Sequence, residues 1–122
     1  MSYTISISED GNYIILKTVG EITSSSAIKQ NLEAHDLGKK SGISKFLVDA
    51  TESRNNNSVS ENYKFAHSDL QMFPEISKSA RVAILVSPDG HSHDFIETLM
   101  RNAGHNTTIF RDREKAINFL LK

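Results

Sequence analysis

The sequence predicts an α/β protein with the order β-β-α-β-α-β-α-β-α, a mixed and mostly parallel sheet with crossover helices. Three observations predict it. The chain opens with polar and apolar residues in alternation, and after an Asp-Gly turn a β-branched, mostly apolar run follows, the pattern of a hairpin. Two later stretches, "KFLVDA" and "ARVAILVS", are short and almost continuously apolar, as strands covered on both faces are. Around them, apolar residues recur at three- and four-residue steps, the signature of amphipathic helices.

In chain order, Tyr3, Ile5 and Ile7 alternate with Thr4, Ser6 and Ser8, which predicts a strand. Asp10-Gly11 supplies the turn, and "YIILKTVG" from Tyr13 to Gly20 supplies the β-branched return strand. Thr23 and the serines after it can cap a helix carrying Ile28, Leu32 and His35 on one face. Gly38 weakens the end of that helix, Lys39 and Lys40 suit its C-terminus, and Gly42 suits the exit. "KFLVDA", Lys45 to Ala50, is the central strand, and "TESRNNNS" after it reads as a polar loop. Val59, Tyr63, Ala66, Leu70 and Phe73 then mark a helix that ends at Pro74. Ala80 to Ser87 is the next buried strand. Phe95, Ile96, Leu99 and Met100 form a helical stripe stopped at Gly104. "NTTIFR" is a short strand, and Asp112 caps a last helix bearing Ala116, Ile117, Leu120 and Leu121.

At 122 residues, with a net charge of -1 and no cysteine, the chain is sized for one domain, residues 1–122. Its near-neutral, mixed charge gives no electrostatic footprint for nucleic acid. Without cysteine there is no disulfide framework, thiol nucleophile or thiolate zinc site. The opening residues do not read as a secretory signal, and no apolar run approaches the ~20 residues that span a bilayer. A cytoplasmic protein that is not transmembrane is expected. Walker A, Gly-x-Gly-x-x-Gly and nucleophile-elbow motifs are absent, and no cofactor is expected.

"SPDGHSHDF", Ser87 to Phe95, looks most like chemistry. His91 and His93 could supply two imidazoles to zinc or iron, with Asp94 or Asp89 as carboxylate and His67, Asp49 or Asp69 as distant ligands. The competing reading needs no ligand. Pro88-Asp89-Gly90 is a turn, Ser92 can cap, and Asp94 suits the positive end of a helix. The second reading outweighs the first. Asp49 either accepts backbone N–H bonds from the residues after it or lines a crevice at the strand ends. Ser58-x-x-Glu61 forms a capping box.

The element order resembles the STAS or SpoIIAA-like superfamily, the fold of anti-sigma-factor antagonists. So do "YIILKTVGEIT", whose strand ends in a Gly-Glu-Ile element, and "RVAILVSP" followed by "RNAGHNTTIFRDREKAINFL". The closing unit resembles the uncharacterised bacterial branch. The likeness covers nearly the whole chain through patterns of apolar positions and turns. It implies a non-enzymatic regulatory domain that docks a protein partner. In those antagonists a kinase phosphorylates a serine in an Asp-Ser-Ser-Gly element. Ser58, nine positions past Asp49, falls at the corresponding place, which makes it a candidate phospho-acceptor as well as a helix cap. Asn57, Val59 and Ser60 depart from the element. Asp49, Asn57, Ser58 and Tyr63 then form a candidate pocket or partner surface. Likening the branch to lipid-binding folds gives an alternative, a small apolar ligand held by Tyr63, Phe65, Met72 and Phe73. A metal-dependent enzyme using His91, His93 and Asp94 is a third. A homodimer through a sheet edge or helix face is compatible with the sequence.

Overall fold

A computed structural model describes residues 2–55, 64, 80–102 and 104–122, with the backbone alone at 24, 95 and 96. Apart from Lys64, which is helical, the expected helix from Ser58 to Phe73 lies outside these residues, as do Asn57, His67 and Asp69.

Strands β1 (Ser2–Ile7) and β2 (Ile14–Ile22) form the opening hairpin. Its turn is closed by the Ser8 N–H donating to Tyr13 O at 2.9 Å, with Gly11 at φ 74°. The Ser8 hydroxyl donates to Asp10 and accepts from the N–H groups of Asn12 and Tyr13, so the turn's polar groups satisfy one another. Helix α1 (Ser24–Ser41) starts at Thr23, whose Oγ1 accepts from Ser26 N–H while Ser26 Oγ accepts from Thr23 N–H. It ends at Gly42, in the left-handed region at φ 71°, where the N–H groups of Gly42 and Ile43 both reach Gly38 O.

Then follow β3 (Lys45–Asn55), β4 (Arg81–Leu85), α2 (Asp94–Asn102), β5 (Asn106–Phe110) and α3 (Arg113–Leu121). Asp112 caps α3 by accepting from Glu114 and Lys115 N–H. The last turn of α3, before its C-cap Lys122, holds no basic residue. Arg81 reaches across from β4 instead, donating to Phe119 O and Lys122 O at 3.0 and 2.8 Å and lying over the Phe119 ring.

The five strands lie in the order β1-β2-β3-β4-β5, with β1 antiparallel and the remaining pairs parallel. The connections through α1 and α2 step the same way across the sheet, so right-handed crossovers put both helices on one face. Alternation along β3 shows the two faces. Phe46 packs with Ile14, Ala34 and Ala80 beneath α1, and Leu47 packs with Tyr13, Ala83, Ala116 and Leu120 beneath α3. Among the described residues no helix is long and apolar enough to cross a membrane.

One expectation is corrected. The stretch "TESRN" is not a loop but the continuation of β3 to Asn55. The register with β2 shifts between Lys17 and Val19, and pairing then resumes from Val19↔Glu52 to Ile22↔Asn55. Past the register shift the β3 residues Thr51 to Asn55 are polar and none is buried, so this half of the strand lacks the apolar run that marks a buried one.

Candidate functional site

The strand ends and the loop after β4 form an open cleft of about 760 Å³ at the C-terminal edge of the sheet. That edge is where ligands of parallel α/β sheets gather. One wall is Gly20 and Glu21 at the end of β2, and the floor is Thr51 to Arg54 from the extension of β3. The other wall is the loop carrying Ser87, Asp89, Gly90, His91 and Ser92. The lining is polar and of mixed charge.

Several contacts fix this loop. Gly90 N–H donates to Ser87 O at 2.9 Å, and a Cβ on Gly90 would meet Ser87 Oγ at 2.8 Å, so a side chain there would have to turn the Ser87 hydroxyl aside. The Asn55 N–H at the tip of β3 donates to Ser92 Oγ at 3.2 Å. Arg111, just past β5, donates from Nη2 to Gly90 O (2.8 Å) and Asp94 Oδ1 (3.2 Å), and the same nitrogen lies 3.0 Å from His91 Nδ1. The loop is thus held at both ends by groups distant in sequence.

The two histidines have different surroundings. His91 is exposed, its Nδ1 2.9 Å from Asp94 Oδ2. A protonated Nδ1 donates to that carboxylate and a bare one accepts from Arg111, so it cannot serve both at once. His93 is 7% exposed, and its Nε2 lies 3.4 Å from Ser53 Oγ in the floor. Burial pushes the His93 imidazole below its ordinary value, against the opposing pull of Ser53 and Asp94. The His91 imidazole and Arg111 hold the Asp94 carboxyl low. Each histidine has its own partners, and among the described residues no group of three or more His, Asp or Glu side chains could hold a metal ion.

Asp49 is 4% exposed and sits below the cleft, at the start of the β3 extension. Its Oδ1 accepts from Thr51 N–H (3.1 Å) and Thr51 Oγ1 (2.7 Å), and its Oδ2 from Arg113 (2.8 Å). Burial raises the acid's pKa, but the bonds from Thr51 and the Arg113 charge outweigh it and hold the carboxyl below its usual value. Asp49 therefore binds the protein's own backbone and a helix-start arginine. Beside it on the same face, Lys17 pairs with Glu52 at 2.9 Å.

Sequence reasoning brought Asp49 and the His91 loop to one end of the sheet. It missed Ser53, Arg54, Arg111 and Arg113. Arg111 and Arg113 carry no local signal, because each acts on a partner many positions away (64 for Arg113 and Asp49). Ser53 and Arg54 were hidden by the stretch that reads as loop. Of the other expected surface residues, Asn57, Ser58 and Tyr63 lie outside the described residues.

No family model matches the chain, and no curated protein matches it. Solved structures do. An uncharacterised protein of the DUF3478 family with a SpoIIAA-like fold, from Shewanella loihica PV-4, superposes with a TM-score of 0.61 at 23% identity, over 98% of this chain and 92% of that one. The anti-sigma factor antagonist SpoIIAA, in its unphosphorylated form, superposes with a TM-score of 0.56 at 11% identity, over 96% of each chain. The chain has the STAS/SpoIIAA-like fold.

Proposed function

We propose that this chain is a non-enzymatic regulatory domain that recognises a protein partner through the cleft at the C-terminal edge of its sheet. The observation that carries this reading is the Gly90–Asp94 loop. Arg111 and Ser92 tie it down, so Asp89 and His91 are presented on a fixed frame opposite Glu21 and Arg54. Pre-ordered polar groups lower the entropic cost of docking. The polar lining favours a protein surface or peptide over a small apolar ligand, which would need an apolar wall. The fold supports the reading further, since SpoIIAA is an anti-sigma factor antagonist. Ser58, three positions past the end of β3 in the sequence, is the proposed phospho-acceptor or helix cap.

Crosslinking in the source cells tests it, comparing wild type with Arg54→Glu/Asp89→Arg, with Ser58→Asp, and with Lys40→Glu as a control on α1. A specific partner should be captured by wild type and by the control, lost in the cleft variant, and altered by Ser58→Asp. An identical set of captured proteins in all four would refute the cleft as the docking site.

A further inference from the structure

The outer edge of β1 has no strand beside it among the described residues. Natural sheets usually blunt such an edge with a charge, a proline or a bulge. From Ser2 to Ile7 this strand has none of them: it carries no charged residue and no proline, and it pairs without interruption from Ser2↔Val19 to Ile7↔Ile14. The opposite edge is treated differently. There the outward Ile109 N–H of β5 donates to the Glu97 carboxylate of α2, which places a charge on that edge.

The hairpin register shows which groups β1 offers. Ser8 and Tyr13 are a hydrogen-bonded pair, so by alternation the backbone groups of Ser2, Thr4 and Ser6 face β2. Those of Tyr3, Ile5 and Ile7 face outward. The side chains of these three residues lie on the α1 face. Tyr3 donates its hydroxyl to Glu33 at 2.7 Å, and Ile5 packs against the cluster beneath α1. Ile7, however, is 43% exposed.

We propose that two copies of this chain pair through β1, antiparallel about a two-fold axis at Ile5, with Tyr3 of each copy opposite Ile7 of the other. This register uses all three outward residues of both strands, whereas a shift by one pair of residues would use only two. It also sets each exposed Ile7 against an aromatic ring, a favourable cross-strand pair. About that axis the facing pairs are Tyr3 with Ile7, Ile5 with Ile5 and Ile7 with Tyr3, so an apolar or aromatic side chain meets another at each. The neutral strands do not repel. These features favour a second copy over the strand of another protein. The dimer is independent of the cleft reading.

In this register Thr4 faces Ser6 of the second copy, and both side chains point away from α1 into solvent. Sedimentation over a concentration series should show a monomer–dimer equilibrium for the wild type. Thr4→Lys/Ser6→Lys sets like charges opposite one another twice and should weaken the dimer roughly tenfold, while Thr4→Lys/Ser6→Glu should restore it. Circular dichroism confirms that each variant folds. Because the chain has no cysteine, a second measurement reads the register directly. A mixture of Thr4→Cys and Ser6→Cys proteins should form disulfide dimers faster than either alone, since facing residues at non-hydrogen-bonded positions stand about 4.5 Å apart. A wild type that stays monomeric at every concentration overturns the proposal. So do a dimer indifferent to both charge variants and equal crosslinking in the mixture and the single proteins.

Discussion

At Asp49, burial and bonding act against each other, and bonding wins. Three donors converge on a carboxylate that is 4% exposed, so removing it strands the Thr51 hydroxyl and N–H in a half-buried setting. Asp49→Ala should lower stability by about 1–3 kcal/mol. Arg113→Ala should cost less, about 0–1 kcal/mol, because half of that side chain stays in water. Urea unfolding with unchanged m-values checks both. His35 gives a pH prediction. It stacks on Phe46 with ring centroids 4.2 Å apart, and burial, with the His105 charge, pushes its pKa from 6.5 down to about 4. The unfolded chain therefore takes up a proton that the folded chain refuses in that window, and stability must fall as the pH drops from about 6.5 towards 4. His93, also depressed by burial, adds to the same trend. His35→Phe keeps a ring on Phe46 and should flatten the slope of the urea midpoint against pH. An unchanged slope would show that His35 does not carry this part of the linkage.

Among the elements, α1 shows where propensity and packing disagree. Gly38 lies three residues before the end of the helix, where propensity alone says that alanine would add about 1 kcal/mol. The packing says the reverse. A Cβ there would sit 2.6 Å from Ile43 O and 3.0 Å from the Phe46 ring. Ile43 O belongs to the backbone leading into β3 and cannot move without shifting that strand. Gly38→Ala is therefore expected to destabilise by about 1–3 kcal/mol, and a thermal melt reads the sign directly. The glycine that looks like a weak point in the helix is what lets α1 lie close against the start of β3.

For the molecule as a whole, the sequence carries the layers more plainly than the site. Apolar runs at Lys45 and Ala80, the Asp10-Gly11 turn and the caps at Thr23 and Asp112 are local signals, and each corresponds to an observed element. The floor of the cleft is not written locally. The extension of β3 is held by backbone pairing to Gly20, Glu21 and Ile22 and by Ser92, and neither leaves an apolar pattern behind. The grip of Arg111 on the His91 loop is likewise a relation between distant positions, which one sequence cannot show.

The Glu97 carboxylate on the outward side of β5 bears on stoichiometry. A sheet with two receptive borders could add molecules head to tail without limit, as fibres do. Among the described residues one border is occupied by a negative side chain, and the other is the one proposed to accept a strand. Growth through that border ends after a single addition, so the arrangement yields a finite pair rather than a filament.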